Sequence, residues 1–178
     1  RCLHCYLGDA GTADLDPDTA RLALGEFGEM GGLRLMVTGG EPMLYPRFDE
    51  LNELLEGRPY RRVLISNGTL MRDVDYRALN FDEVQFSLDG LEAGHDLLRG
   101  RGGFSRTMRA LEGALGAGRQ VSVATVLHAR NLGEVERLGH RLEKMGVSSW
   151  TLEFPVPEGR LRERPDLMPG LAAAEDAA

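Results

Sequence analysis

Two cysteines open the chain in Arg1-Cys2-Leu3-His4-Cys5-Tyr6, and they are the only thiols among its 178 residues. Thiolates at this spacing bind zinc, exchange disulfides or ligate iron-sulfur clusters. Polar or glycine chemistry recurs at the ends of four apolar runs: Thr38-Gly39-Gly40-Glu41-Pro42, Ser66-Asn67-Gly68, Ser87-Leu88-Asp89-Gly90 and Pro155-Val156-Pro157-Glu158-Gly159-Arg160. Gly39 and Gly40 would let a ligand approach the backbone, and the Glu41 carboxylate offers an acceptor to an ammonium group. Arg99 sits in a glycine-flanked stretch, where its planar guanidinium suits a carboxylate. Each of these stretches also has a plain structural reading. The glycines and Asn67 serve tight turns, Ser87 and Asp89 cap a helix, and Arg99 is a solvated side chain like Arg101.

These turns share a function only if the fold brings them together, so the elements between them decide the matter. Asp16-Pro17-Asp18 reads as a helix start, with Ala20, Leu24 and Phe27 at helical spacing and Gly31-Gly32 as the stop. Leu33 to Val37 reads as a strand buried on both faces. Pro46 opens a second helix carrying Phe48, Leu51 and Leu55. Arg62 to Ser66 is a strand, 70–79 a weaker helix, and Glu83 to Leu88 a strand. A long loop follows over 89–103, then a helix with Phe104, Met108, Leu111 and Leu115 on one face. The strand from Gln120 to Leu127, a helix capped by Asn131 and carrying Val135, Leu138, Leu142 and Met145, and the strand from Ser149 to Phe154 complete the pattern.

Strands alternating with helices imply right-handed crossovers and a parallel sheet. The expected class is α/β, with about five to six strands and outer helices. A full eight-fold barrel needs about 250 residues, so this length supports a partial (β/α) barrel or an open sheet. In either, the C-terminal strand ends lie together, and the turns and the cysteine loop form one mouth. The cysteines are therefore expected to hold a metal centre over it.

Bulk composition narrows the function class. A net charge of −7 argues against nucleic acid as a partner, because affinity for it comes from neutralising phosphates. No apolar run approaches the roughly 20 residues that span a bilayer, so neither a membrane nor a membrane partner is expected, and the cytoplasm is the default setting. A zinc site wants a second ligand pair, yet His4, His95, His128 and His140 show no paired spacing. A thioredoxin-like dithiol wants its pair at a helix N-terminus, whereas a polar stretch separates Cys5 from the first helix.

The order Cys-x-x-Cys-Tyr, Gly-Gly-Glu-Pro, Ser-Asn-Gly-Thr, Ser-Leu-Asp-Gly, His95-Asp96-x-x-Arg99-Gly100, Asn131 and Pro157-Glu158-Gly159-Arg160 resembles the radical S-adenosylmethionine (radical SAM) superfamily. It is most similar to the subgroup that modifies peptides and proteins or makes tetrapyrrole and quinone cofactors, whose members usually add a C-terminal cysteine-rich domain of the SPASM or twitch type. The resemblance covers Arg1 to about Arg160. It implies a radical SAM core over 1–160 and, over 161–178, a linker or the start of a further region. Cys2 and Cys5 match the second and third cysteines of the family's Cys-x-x-x-Cys-x-x-Cys motif, so the first cysteine and the first barrel strand would precede Arg1.

The resemblance further implies two cofactors, a [4Fe-4S] cluster on Cys2 and Cys5 and S-adenosyl-L-methionine. Reductive cleavage of the latter would give a 5′-deoxyadenosyl radical that acts on a peptide, protein or small-molecule precursor. The reductant would be a protein such as flavodoxin or ferredoxin. By position, Gly39, Gly40 and Glu41 would receive the methionyl ammonium, and Pro42 would shape that turn. Ser66 would reach the ribose, with Asn67 beside it, Ser87 the ribose or the carboxylate, and Arg99 the carboxylate. Asp89 would lie at the same mouth, and His4 would set its ring against the nucleotide. A catalytically incomplete enzyme is one reading; a fold-retaining binding or scaffold module with zinc or a vestigial cysteine pair, or a dithiol oxidoreductase, is the alternative.

Overall fold

The computed structural model describes residues 2–5 and 13–170. Arg1, Tyr6 of the cysteine motif and the tail from 171 lie outside the described residues. Five strands, β1 (Arg34–Val37), β2 (Arg61–Ser66), β3 (Glu83–Ser87), β4 (Gln120–Val126) and β5 (Ser149–Glu153), form one sheet in sequence order. Every neighbouring pair is parallel, with Val37 opposite Leu64, Ser66 opposite Phe86, Ser87 opposite Ala124 and Val126 opposite Glu153. The helices are α1 (Pro17–Glu29), α2 (Phe48–Leu54), α3 (Glu92–Arg99), α4 (Gly103–Gly116) and α5 (Val135–Met145). This is the α/β architecture of a partial (β/α) barrel.

Alternation along the strands sorts the two faces of the sheet. Leu64, Val84, Phe86, Val121 and Val123 point into the main core, where they meet Leu24, Leu111 and Leu138 from the helices. The opposite, lumenal face is polar at its base. Glu83 is buried there and accepts from Ser122 Oγ and, at 2.8 Å, from Arg61 Nη2, with Arg34 Nη2 at 3.8 Å. A buried carboxylate with hydrogen bonds and cations on several sides is a charge that the fold can carry.

Local chemistry accounts for the helix starts. Asp16 accepts from Thr19 N at 3.0 Å and Pro17 is the first residue of α1, which satisfies one orphan amide and presets the first turn. Four expectations are corrected. β1 is an edge strand of the described sheet, not one buried on both faces, and Leu33 and Met36 beside its free side are exposed. Residues 70–79 form no α-helix; only a 3₁₀ turn, Tyr76–Ala78, is present, because Asp75 accepts from Arg77 N and closes the chain locally. The stretch 89–103 is no long loop but contains α3, so His95, Asp96 and Arg99 lie on one helix. Asn131 makes no capping bond to α5.

The segment after β5 is also structured. Leu161 and Leu167 are buried against Leu98 of α3, with Leu3 and Met168 packed beside them, and Ala129 N donates to Leu167 O at 2.9 Å. Leu161, Leu167 and Met168 thus pack on the described fold, within the stretch expected to be a linker or the start of a further region. Among the described residues no helix is long and apolar enough to cross a membrane.

Candidate active site

The parallel sheet collects the turns after β1, β2 and β3 at one end, and the cysteine loop reaches the same end. Leu3 N donates to Leu98 O of α3 at 2.9 Å, and Arg160 N donates to Cys5 O at 3.1 Å. The loop's backbone is thus tied on one side to α3 and on the other to the segment after β5. Cys2 and Cys5 are both free thiols and half-buried.

The turn after β1 is built around Glu41. Its Oε1 accepts from Ser66 Oγ at 2.7 Å and from Met43 N at 3.3 Å, and its Oε2 accepts from Asn67 N at 2.9 Å. One carboxylate therefore joins the ends of β1 and β2. Ser66 Oγ accepts in turn from Gly68 N at 3.0 Å. Asn67 Oδ1 takes Thr69 N and Oγ1 at 2.8 and 2.6 Å, an Asx turn that leaves its amide nitrogen uncommitted. Gly39 has φ +146°, which a side chain would strain, and a Cβ on either Gly39 or Gly40 would meet no atom within 4 Å. The backbone here faces open space. Pro42 is buried at the start of a short 3₁₀ turn.

Asp89 and Arg99 form the buried electrostatic centre. Asp89 has no exposed surface; its Oδ2 accepts from Arg99 Nε and its Oδ1 from Val126 N at 2.9 Å. Burial would raise the Asp89 pKa, but Arg99, then His4 and the hydrogen bonds, hold the carboxyl below its ordinary value. Beyond Asp89, Arg99 Nη2 lies 3.3 Å from His4 Nε2 and Nη1 lies 4.0 Å from Cys2 Sγ. Burial pushes His4 and His95 down to about 4, against the pull of Asp89, so both rings are neutral near pH 7. Ser87, half-buried at the end of β3, has no hydrogen-bond partner for its hydroxyl among the described residues.

Sequence reasoning placed His95 and Asn131 in the motif order but gave neither a role in holding this centre, and it missed Glu134 and Thr107. His95 Nδ1 accepts from Asp89 N at 3.1 Å, and Asn131 Nδ2 donates to Asp89 O and Val126 O at 2.8 and 2.9 Å while its Oδ1 takes His128 N. Glu134 Oε2 accepts from Leu91 N at 2.8 Å at the start of α3. Gly94 admits this approach, since a Cβ there would fall 2.5 Å from Glu134 Oε2. The only signal for Glu134 was a carboxylate at a helix start, and that is common. Thr107 Oγ1 donates to Asn67 O at 2.6 Å from α4, with no marker in the sequence. A largely apolar cleft of about 570 Å³ runs along β1 between α1 and α2 and shares Gly39, Gly40, Glu41 and Pro42 with this site, while Cys2, Cys5, Asp89 and Arg99 do not line it.

A family description, the radical SAM superfamily, matches residues 1–142. The chain belongs to the radical SAM superfamily. It is 29% identical over 176 residues to an AdoMet-dependent heme synthase of Methanosarcina barkeri, covering 94% of this chain and 50% of that protein. It is 26% identical over 175 residues to the antilisterial bacteriocin subtilosin biosynthesis protein AlbA of Bacillus subtilis, covering 92% and 38%. The fold matches that of Streptococcus suis SuiB bound to S-adenosylmethionine with a TM-score of 0.78 at 16% identity, over 87% of this chain and 37% of that one. SuiB has also been solved with its precursor peptide SuiA. This radical SAM chain thus spans half or less of the length of these proteins.

Whether the residues present fit the superfamily's cofactors can be judged from the site. Two free thiols share a loop, and the Arg99 guanidinium lies 4.0 Å from Cys2 Sγ. The chemistry suits a thiolate-held iron-sulfur cluster, while the number is two, and among the described residues no three His, Cys, Asp or Glu side chains gather to hold a metal ion. The open backbone at Gly39 and Gly40 suits a ligand that lies against it.

Proposed function

We propose that the chain forms the S-adenosylmethionine-binding core of an enzyme that modifies a peptide, protein or cofactor precursor, with Cys2 and Cys5 as two ligands of a [4Fe-4S] cluster. The observation that carries this reading is the meeting of the tied cysteine loop, the open Gly39-Gly40 backbone and the Asp89–Arg99 pair at one end of a parallel sheet. Held by Cys2 and Cys5 and by the Gly39–Pro42 turn, the cluster and S-adenosylmethionine would supply one-electron cleavage and hydrogen abstraction from substrate.

The chain's own part is to bind and orient. A carboxylate has about four acceptor sites, and Glu41 commits three of them, which leaves one for an ammonium group. Pro42 fixes the direction of that turn. Ser66 retains one acceptor lone pair for a ribose hydroxyl, while Asn67 keeps its amide nitrogen and Ser87 its whole hydroxyl for ribose or carboxylate oxygens. Arg99 commits one N–H to Asp89 and one to His4 and keeps others for a carboxylate; Asp89 holds it in place. Peptide-modifying and tetrapyrrole-forming relatives support the substrate class. A small electron-transfer protein such as flavodoxin or ferredoxin completes the scheme, in the cytoplasm.

Gly40→Val in the full-length, anaerobically reconstituted protein tests the reading. The wild type should cleave S-adenosylmethionine on reduction. Because a Gly40 Cβ meets nothing in the fold, the variant should keep its iron content and melting temperature and lose cleavage. Cleavage by the variant at the wild-type rate, or no cleavage by the wild type, would count against it.

A further inference from the structure

We infer that Glu153 is a specificity-determining residue: beside Thr151, on the lumenal face of the sheet, it receives the cationic side chain, lysine or arginine, of a peptide substrate. The inference rests on the function proposed above and narrows its substrate class. Alternation and register place the residues. Along β5, Trp150 packs against the main core and Leu152 beside Leu127 and Val135, so Ser149, Thr151 and Glu153 point to the opposite face. Strand pairing then sets Ser87, Ala124 and Thr151 in one row, with Gln85, Ser122 and Ser149 in the row below and Val126 and Glu153 in the row above. Val126 N donates to Asp89 Oδ1, so Glu153, opposite Val126, stands level with the Asp89–Arg99 pair.

This face offers polar groups without partners. The side chains of Gln85, Thr151 and Glu153 make no hydrogen bond or ion pair among the described residues. Gln85 is half-buried, where a polar group usually finds a partner, and its amide both donates and accepts, as a peptide bond does. Ala124 keeps the floor low between the hydroxyls of Ser87 and Thr151, two strand spacings or roughly 10 Å apart. Charge decides between the substrate classes. A tetrapyrrole precursor presents carboxylates, which call for cations. The strand cations of this face are Arg34 and Arg61, and both stand at its base against Glu83, roughly 13 Å below Ser87 at the rise of a parallel strand. Arg99 is engaged by Asp89 and His4. The one unpaired charge of the upper rows is the Glu153 carboxylate, which repels another carboxylate and pairs with an ammonium or guanidinium group. Thr151 Oγ1, on the same face of the same strand, takes a further N–H of that head.

Selection of randomised displayed peptides on the full-length protein, supplied with iron, sulfide and S-adenosylmethionine at about 0.15 M salt, tests this. Peptides held by the wild type should be enriched in lysine and arginine by roughly threefold over the library, as one partly exposed ion pair allows. Glu153→Gln should lose that enrichment, and Glu153→Lys should turn it towards aspartate and glutamate. Glu136→Gln removes the same charge from an exposed position on α5, which covers the core face of the sheet. It should leave the enrichment whole, which separates a local contact from the general pull of an acidic protein. Coproporphyrin III, a tetracarboxylate macrocycle, should not displace the selected peptides. No basic preference in the wild type, an equal preference in Glu153→Gln, or displacement by coproporphyrin III would overturn the inference. Failure of the wild type to cleave S-adenosylmethionine would strike the functional reading instead, because the selection reads binding alone and still decides the charge preference of this face.

Discussion

Asp89→Asn should be among the most damaging single-atom changes available in this chain. The substitution removes the negative charge beside Arg99 but keeps an oxygen for Val126 N. Asp89 is fully buried and the Arg99 side chain is 13% exposed, so the guanidinium is left without its counter-charge in a place that water barely reaches. Removing one partner of a buried ion pair costs about 3–5 kcal/mol, and the retained oxygen places the expectation near 3. Against a total stability of about 5–15 kcal/mol this is a large fraction. With a urea m-value of about 2 kcal/mol per molar, the unfolding midpoint should fall by roughly 1.5 M with no change in slope. The double variant Asp89→Asn/Arg99→Met should recover at least about 2 kcal/mol of that loss, because replacing both charges removes the unpaired one. A cost below about 1 kcal/mol for Asp89→Asn, or strict additivity in the double variant, would refute the placement of this pair at the buried centre of the site.

Glu41→Gln should lower the melting temperature by roughly 3–8 °C, since the new amide sets a donor against Asn67 N and leaves a part-buried group unpaired at a cost of about 1–3 kcal/mol; calorimetry of wild type and variant would check it, and an unchanged melting temperature would mean that the strap between β1 and β2 carries no stability. Stability should also fall with acidification. His4 and His95 have folded pKa values of about 4, below the ordinary 6.5, so the unfolded chain takes up protons first. The contribution is whole above about pH 6.5 and is lost as pH falls towards 4, by at most about 1.4 kcal/mol per pH unit for each ring. Urea midpoints across that range should slope for the wild type and slope less steeply in His95→Asn, which keeps only the His4 contribution, and a flat wild-type profile would exclude the effect.

The sheet was legible because strand and helix periods alternate without a break from Leu33 to Phe154, and all five strands lie within a residue of where the apolar runs place them. Helix α3 was not, because Gly94, Gly100, Gly102 and Gly103 read as loop residues. In the structure Gly94 is there for the close approach of Glu134, and Gly100 ends the helix at φ +97°. The turn motifs were legible as motifs, but their internal bonding was not. Nothing local to Glu41 announces that its carboxylate spans to Ser66 and Asn67, and nothing local to Arg99 announces Asp89. The Glu41 bonds join residues 25 and 26 positions apart and exist only once β1 and β2 have paired, while the Asp89–Arg99 pair depends on α3, which the glycines hid. The packing of Leu161 and Leu167 escaped notice for a related reason: two leucines in a charged stretch show no period, and only the place of Leu98 gives them a partner.

The ties on the cysteine loop bear on the order of events during synthesis. Cys2 and Cys5 leave the ribosome before the groups that fix their loop. Leu98 O receives Leu3 N about midway through the chain, and Arg160 N, which holds Cys5 O, lies close to the end of the described residues with Leu161 and Leu167. A nascent chain that stops short of β5 has its thiols but none of the late scaffold that shapes their loop. Ordering of that loop is therefore a late step, delayed until the last strand and the segment after it have emerged and docked on α3. Until then the thiols are held only by local contacts and stand open to oxidation or to stray metal, so this end of the chain is the part that depends most on what the cell supplies while the rest is being made.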